Sequence, residues 1–186
     1  MFTTNDKKYI LDLARRSIEY YFGNKSLMQM EENELSSPEL VEERSCFVTL
    51  TIDDDLRGCI GHVEAIQPLY LDIIENAVAA AFNDQRFRPL SEKEFALTEI
   101  EVSVLTKPKK LDFSSSEDLL KKLRPGIDGV VLRLGNYGAT YLPQVWEDFA
   151  DKESFLNSLC LKASLNENDW ENPDLEIMTY QAEIIK

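Results

Sequence analysis

Apolar residues recur at three- and four-residue steps in several stretches of the chain, which is the pattern of helices that bury one face. The first stretch covers residues 10–22, where Asn5 is the predicted N-cap and Gly23 the predicted C-cap. Further helices are predicted over residues 68–83, which Pro68 opens, after the capping-box sequence SEKE at 91–94, over 117–123 and over 153–165. Small residues on one face of the helix over 68–83 predict its close approach to a sheet.

Short runs rich in β-branched residues lie between these helices and predict strands. They cover residues 46–52 (CFVTLTI), 56–62 (LRGCIGH), 99–105 (EIEVSVL), 129–134 (GVVLRL), 139–142 (ATYL) and 176–185 (EIMTYQAEII). The acidic triplet 53–55 and GNYG at 135–138 are typical hairpin turns, whereas residues 25–44 predict a polar connection ending in a strand start near Val41. Antiparallel strands mixed with packed helices indicate the α+β class, and residues 1–186 are predicted to form a single domain.

The segment LRGCIGH contains an unusually placed cysteine, because Gly58 and Gly61 flank Cys59 and Arg57 precedes it by two residues. In a regular strand Arg57 and Cys59 share one face. A nearby guanidinium would favour the thiolate, and the bare backbone would leave room for a substrate. The alternative is a small buried side chain between packing glycines.

His62 is the single histidine, so a cysteine–histidine dyad would have to use it. Strand alternation places it on the face opposite Cys59, and only a bulge or turn at Gly61 would bring the two together. A second cluster of polar residues, DQRFRPL at 84–90, follows a predicted helix. There Arg86 would either bind a carboxylate or phosphate, or pair with Asp84 and cap the helix.

Composition narrows the classes of function. The chain has 186 residues, and its net charge of −14 at pH 7 disfavours nucleic acid as a partner. No apolar run has membrane-spanning length, and the first sixteen residues lack the apolar centre and cleavage site of a secretory signal. Three irregularly spaced cysteines fit a reducing compartment, so we expect a cytoplasmic protein. No cofactor and no metal are expected; a carboxylate site built from residues 53–55, Glu64 and Asp84 is the weakest alternative.

Six segments together resemble the AMMECR family, named for the AMME syndrome candidate protein and including the protein A type of the prokaryotic AmmeMemoRadiSam system. They are LRGCIGH, DQRFRPL, EIEVSVL, GIDGVVL, YLPQVW and FLNSLCLKA, in that order. The resemblance implies two unequal lobes with antiparallel sheets and a cleft near the first two motifs. It also implies possible partners, since some prokaryotic relatives are linked with a Memo-like protein and a radical SAM enzyme.

The family motifs fall on residues 57–61 and on Asp84, Arg86, Phe87 and Pro89. The chain departs from the family pattern at His62, where threonine is common. A histidine-dependent mechanism would therefore not be family-wide. It also departs at Ser164, where relatives often carry glycine, and this concerns the end of the last helix.

Two hypotheses follow for the function. In the first, the protein is an enzyme acting on a small anionic molecule, with Cys59 as nucleophile and Arg57 as its activating charge. Substrate-binding residues would then be Gly58, Gly61, His62, Asp84, Arg86 and Phe87. In the second, the same cleft binds a partner protein or peptide without catalysis, and Cys59 is merely the side chain that fits.

Overall fold

The computed structural model describes residues 2–35 and 37–186. The helices are α1 (Thr4–Asn24), α2 (Leu69–Phe82), α3 (Glu92–Phe95), α4 (Ser116–Lys122) and α5 (Lys152–Lys162). The strands are β1 (Cys46–Ile52), β2 (Asp55–Gly61), β3 (Glu99–Leu105), β4 (Lys109–Lys110), β5 (Gly129–Leu134), β6 (Tyr137–Tyr141), β7 (Glu176–Tyr180) and β8 (Ala182–Ile185). Short 3-10 helices cover Glu32–Glu34, Pro38–Leu40, Pro143–Asp148 and Glu167–Glu171.

The chain divides into two compact units of unequal length. Unit 1 comprises Met1–Leu105 and Glu183–Lys186, and unit 2 comprises Thr106–Ala182. Each unit contains a four-stranded sheet, in the order β2-β1-β3-β8 for the first and β4-β7-β5-β6 for the second. The pairs β1–β2, β1–β3, β4–β7, β5–β6 and β5–β7 are all antiparallel. The predicted α+β class with antiparallel sheets is therefore confirmed.

The core of unit 1 lies between α1, α2 and one face of the sheet, which we call the inner face. Along β1 the alternate residues Cys46, Val48 and Leu50 are fully buried on this face. The intervening side chains of β1 are half-buried on the opposite, outer face. The helices supply the other side of the core through Ile10, Leu13, Ala14, Ile18, Ile73, Ala77 and Ala80.

Several predicted ends of elements in unit 1 are wrong by a few residues. Helix α1 is capped by Thr3 and not by Asn5, because Thr3 and Asp6 form a reciprocal capping box. Gly23 is helical, and the left-handed residue after the helix is Lys25, with φ of 54°. No strand begins at Val41, which follows a 3-10 helix; β1 begins at Cys46.

Unit 2 has its own core under the β5–β6 hairpin. Its largest buried side chains include Trp146, Phe155 and Trp170, and the Trp146 and Phe155 rings stack with centroids 3.5 Å apart. The hairpin turn is shorter than predicted, since Leu134 already pairs with Tyr137. The predicted last strand is two strands, because β7 belongs to the unit 2 sheet and β8 to the unit 1 sheet.

The backbone at the end of α5 explains why glycine suits position 164, where the family often has it. The helix stops at Lys162, before the predicted end, and Ser164 adopts a left-handed conformation with φ of 63°. Glycine has no penalty in that conformation, whereas serine does. Ser164 is therefore a strained residue in this chain.

Candidate functional site

The β1–β2 hairpin positions Cys59 on the outer face of the unit 1 sheet. The register pairs Thr49 with Cys59 and shifts between Leu50 and Thr51, so Arg57 occupies a β-bulge. The alternation that would place Arg57 on the face of Cys59 is interrupted at this point. The bulge sends these two side chains to different partners, as described below.

Both glycines of the motif have a packing reason. A Cβ atom on Gly58 would lie 2.1 Å from the Ala80 carbonyl oxygen of α2, so only glycine lets strand and helix approach this closely. A Cβ on Gly61 would lie 2.3 Å from the Cys46 carbonyl oxygen and 2.5 Å from Cγ of Phe47. The predicted approach of this hairpin to a helix backbone is thus observed at Gly58. The predicted role of both glycines in substrate binding stays a prediction.

The Cys59 backbone is held by a loop that follows α2. The Cys59 amide donates to Oδ2 of Asp84 at 2.9 Å, and the Cys59 carbonyl accepts from Nη2 of Arg86 at 3.3 Å. Strand β2 is the first strand of its sheet, so these groups lie on its open edge. We call this arrangement the Asp84–Arg86 clamp; it takes the place of a neighbouring strand.

The clamp is itself closed by an ion pair. Arg86 donates to Asp84 through Nε at 3.0 Å and through Nη2 at 2.7 Å. The Asp84 side chain is 4% exposed and that of Arg86 57% exposed. The Arg86 hydrogen bonds hold the pKa of the Asp84 carboxyl well below its usual range, and the same contact raises the pKa of Arg86. Asp84 is therefore a buried anion with its hydrogen-bonding capacity largely used inside the protein.

Arg57 is bound by α3 and by the same loop. Its Nε donates to Glu94 at 3.1 Å and its Nη2 to the Arg88 carbonyl at 2.9 Å. The hydrogen bonds from Arg57 lead the causes that lower the pKa of Glu94 to about 2. The ring of Phe87 lies near both guanidinium groups, with its centroid 5.7 Å from Cζ of Arg57 and 5.5 Å from Cζ of Arg86. Activation of Cys59 by Arg57 stays a prediction.

His62 belongs to a different cluster. Its Nε2 lies 2.8 Å from Oδ1 of the fully buried Asp72, although the ring N–H is not aligned with that oxygen. Asp72 also accepts hydrogen bonds from the Cys46 amide at 2.8 Å, from Asn76 at 2.9 Å and from Gln67 at 3.2 Å. His62 therefore lies against the Asp72 cluster on α2, whereas Cys59 contacts Thr49 on the outer face.

Sequence reasoning missed three residues around these clusters. Thr49, whose hydroxyl donates to Cys59 Sγ at 3.3 Å, could have been found by writing out the hairpin register. Asp72 lies four residues before Asn76, a helical spacing that puts both side chains on one face of α2. Glu94 was identified only as a capping residue, which it is, but it also binds Arg57.

The other two cysteines are buried. Burial raises the pKa of Cys160 to about 11, and burial followed by the charge of Asp72 raises that of Cys46. Within residues 2–35 and 37–186 no group of three or more His, Cys, Asp or Glu side chains is arranged to hold a metal ion. In the same part of the chain, no helix is both long enough and apolar enough to cross a membrane.

These features define a class of α+β protein with two antiparallel sheets and a cysteine held on an edge strand by an Asp-x-Arg loop. The chain belongs to the AMMECR1 family, whose family model matches residues 11–185.

Archaeal relatives extend over nearly the whole chain. Protein MK0488 of Methanopyrus kandleri is 38% identical over 188 residues, covering 99% of this chain and 89% of that protein. Protein MJ0810 of Methanocaldococcus jannaschii is 34% identical and covers 100% of this chain and 92% of its own. The crystal structure of the uncharacterized protein PH0010 from Pyrococcus horikoshii superposes with a TM-score of 0.85 at 34% identity. It covers 95% of this chain and 88% of that one.

Proposed function

We propose that the protein binds a small anionic molecule around the LRGCIG motif and that the Cys59 thiol is the group that reacts with it. The observation that carries this proposal is the placement of Cys59. Its side chain is only half-buried, while both backbone groups are tied to the Asp84–Arg86 clamp. A thiol held in one position at the surface is suited to chemistry, because little motion must be lost on reaction.

The charge around Cys59 supports an anionic ligand. Arg86, which donates to the Cys59 carbonyl, keeps 57% of its side chain exposed, and the exposed Arg88 follows two residues later in the same loop. Such a concentration of arginines is notable in a chain of net charge −14. Planar guanidinium groups bind carboxylates and phosphates through paired hydrogen bonds, so a small anion fits this surface better than a polyanion.

The test is the rate at which each cysteine of the folded protein reacts with iodoacetamide between about pH 6 and pH 9, a range that spans ordinary thiol ionisation. Peptide mass spectrometry follows Cys59, Cys46 and Cys160 separately. We expect Cys59 to react at neutral pH, and the other two, which are buried, to react only after unfolding. A Cys59 as slow as Cys160 in the folded protein would overturn the proposal.

Ligand class is tested by protection. Phosphate, pyruvate and citrate are added separately, and the one that binds is expected to slow alkylation of Cys59. The variant Arg88→Gln should weaken this protection. Arg16→Gln is the matched control, because Arg16 lies on α1 and pairs with Asp12 at the surface. Equal loss of protection in both variants would indicate a general charge effect instead of a site.

A binding module without catalysis is the second candidate, and one observation favours it. Arg57, Asp84 and both backbone groups of Cys59 are already engaged in holding unit 1 together. Calorimetric titration of phosphate, pyruvate and citrate separately into wild type and Cys59→Ala distinguishes the two candidates. Unchanged affinity together with an inert wild-type thiol would support the binding module.

A further inference from the structure

A row of polar side chains crosses the outer face of the unit 1 sheet. Cys59 on β2 is directly opposite Thr49 on β1, and Thr49 is directly opposite Glu101 on β3. At the far end, Lys186 binds Glu101 with 2.9 Å between Nζ and Oε2. Thiol, hydroxyl, carboxylate and ammonium groups therefore follow one another across the sheet.

Thr49 is the member of this row that touches the candidate thiol. Its Oγ1 donates a hydrogen bond to Sγ of Cys59 at 3.3 Å. A β-branched side chain has few rotamers in a strand, so the position of this hydroxyl is well defined. A hydrogen bond to an ionised acceptor is stronger than one to a neutral acceptor, so a hydroxyl donor in this position is suited to hold a charged sulfur.

The charged groups around Cys59 direct their hydrogen bonds to its backbone or to one another. Asp84 and Arg86 pair with each other and bind the Cys59 backbone, and Arg86 also lies close enough to the thiol for a charge interaction. Glu101 is neutralised by Lys186, and it also accepts a hydrogen bond from Ser103 at 3.4 Å. Among the described residues, the Thr49 hydroxyl is the hydrogen-bond donor that reaches the sulfur itself.

We propose that Thr49 is a positioning residue that holds the Cys59 sulfur and stabilises its thiolate form. This inference rests on the proposed function of Cys59. It adds a residue that lies outside both family motifs and comes from the opposite strand of the hairpin.

The experiment compares wild type with the isosteric variant Thr49→Val and the conservative variant Thr49→Ser. A small neutral disulfide, 4,4′-dithiodipyridine, is the reagent, and mass spectrometry assigns the modified cysteine. Loss of one hydrogen bond to an ionised acceptor should lower the thiolate fraction by about tenfold. The more basic thiolate is in turn about threefold more nucleophilic towards a disulfide.

The two effects predict rates that cross with pH. At neutral pH Thr49→Val should react about threefold more slowly than wild type, and at about pH 10.5, where ordinary thiols are almost fully ionised, about threefold faster. Thr49→Ser should restore the wild-type profile. Protection of Cys46 and Cys160, which are buried in the wild type, shows that the variants are folded.

The outcomes separate this inference from the proposed function. If wild-type Cys59 reacts readily and Thr49→Val has the same pH profile, the role of Thr49 is refuted while the reactive thiol stands. A variant that is slower by the same factor at every pH also refutes it, since that result reports access to the sulfur. If wild-type Cys59 is inert, the proposed function fails first and the role of Thr49 with it.

Discussion

Removal of the Asp84 carboxylate tests what the Asp84–Arg86 clamp does for the protein. In Asp84→Ala the Cys59 amide loses its acceptor, and Arg86 loses the partner of its Nε and Nη2 atoms. An orphaned, shielded N–H costs about 1–3 kcal/mol. The lost ion pair adds only about 1 kcal/mol, because Arg86 is 57% exposed and water can replace its partner. We expect the free energy of unfolding to fall by roughly 2–4 kcal/mol.

The assay must report on unit 1. Both tryptophans of the chain, Trp146 and Trp170, belong to the core of unit 2, so their fluorescence follows the wrong part of the protein. Urea unfolding monitored by hydrogen exchange of unit 1 peptides avoids this problem. The Cys59 amide itself should exchange much faster in the variant, since its hydrogen-bond acceptor is the residue removed.

The control is another aspartate–arginine pair in the same unit. Asp12 and Arg16 on α1 are 3.6 Å apart, with side chains 57% and 47% exposed, so Asp12→Ala should cost less than about 0.5 kcal/mol. A loss of stability in Asp84→Ala no larger than in Asp12→Ala would refute the clamp. An unchanged exchange rate at Cys59 would refute it independently of the energy.

Three further predictions concern packing, strain and pH. Gly58→Ala should lower the free energy of unfolding by about 1–3 kcal/mol or more, because the added Cβ meets the Ala80 carbonyl oxygen. Gly23→Ala is the control: no atom lies within 4 Å of its added Cβ, so it should raise the free energy of unfolding by about 1 kcal/mol. Ser164→Gly should raise the thermal midpoint of unit 2, since glycine relieves a left-handed residue costing about 1 kcal/mol; an unchanged tryptophan unfolding curve would contradict this. The pKa of Glu94 is lowered from 4.5 to about 2, so its contribution is complete above pH 4.5 and is lost as the pH falls through about 2. Wild type should therefore have a higher free energy of unfolding than Glu94→Gln at pH 7. Urea unfolding at a series of pH values should show this difference shrinking below pH 4.5.

Much of the fold of this protein follows from local patterns. The β1–β2 hairpin was predicted because a polar triplet separates two β-rich runs, and its turn residues Asp53 and Asp54 have the positive φ that such a turn requires. The capping box at Ser91 and the shared face of Ile100, Val102 and Val104 on β3 are equally local. The errors occur where two local signals compete, as at Thr3 and Asn5, either of which suits a helix N-cap.

The candidate site was predicted only as a set of residues. Arg57 and Cys59 were expected to share a face, but Arg57 is the extra residue of a β-bulge, and a single extra residue cannot be read from a strand pattern. Asp84 and Arg86 were considered as substrate-binding residues or as an ion pair. The structure shows the ion pair, and it also shows that Asp84 binds the backbone of Cys59, which lies 25 residues before it in the chain.

By itself, the sequence determined the period of most segments, the β1–β2 turn, the family and the candidate residues of the site, because each is read from residues a few positions apart. Only the tertiary structure decided which groups meet. It directed Arg57 to Glu94, His62 to Asp72, and the Thr49 hydroxyl to Cys59. Such contacts join segments that are distant along the chain, and they depend on register, on a bulge and on the close approach of α2 to Gly58. Those features arise only when the helices and the sheet pack together.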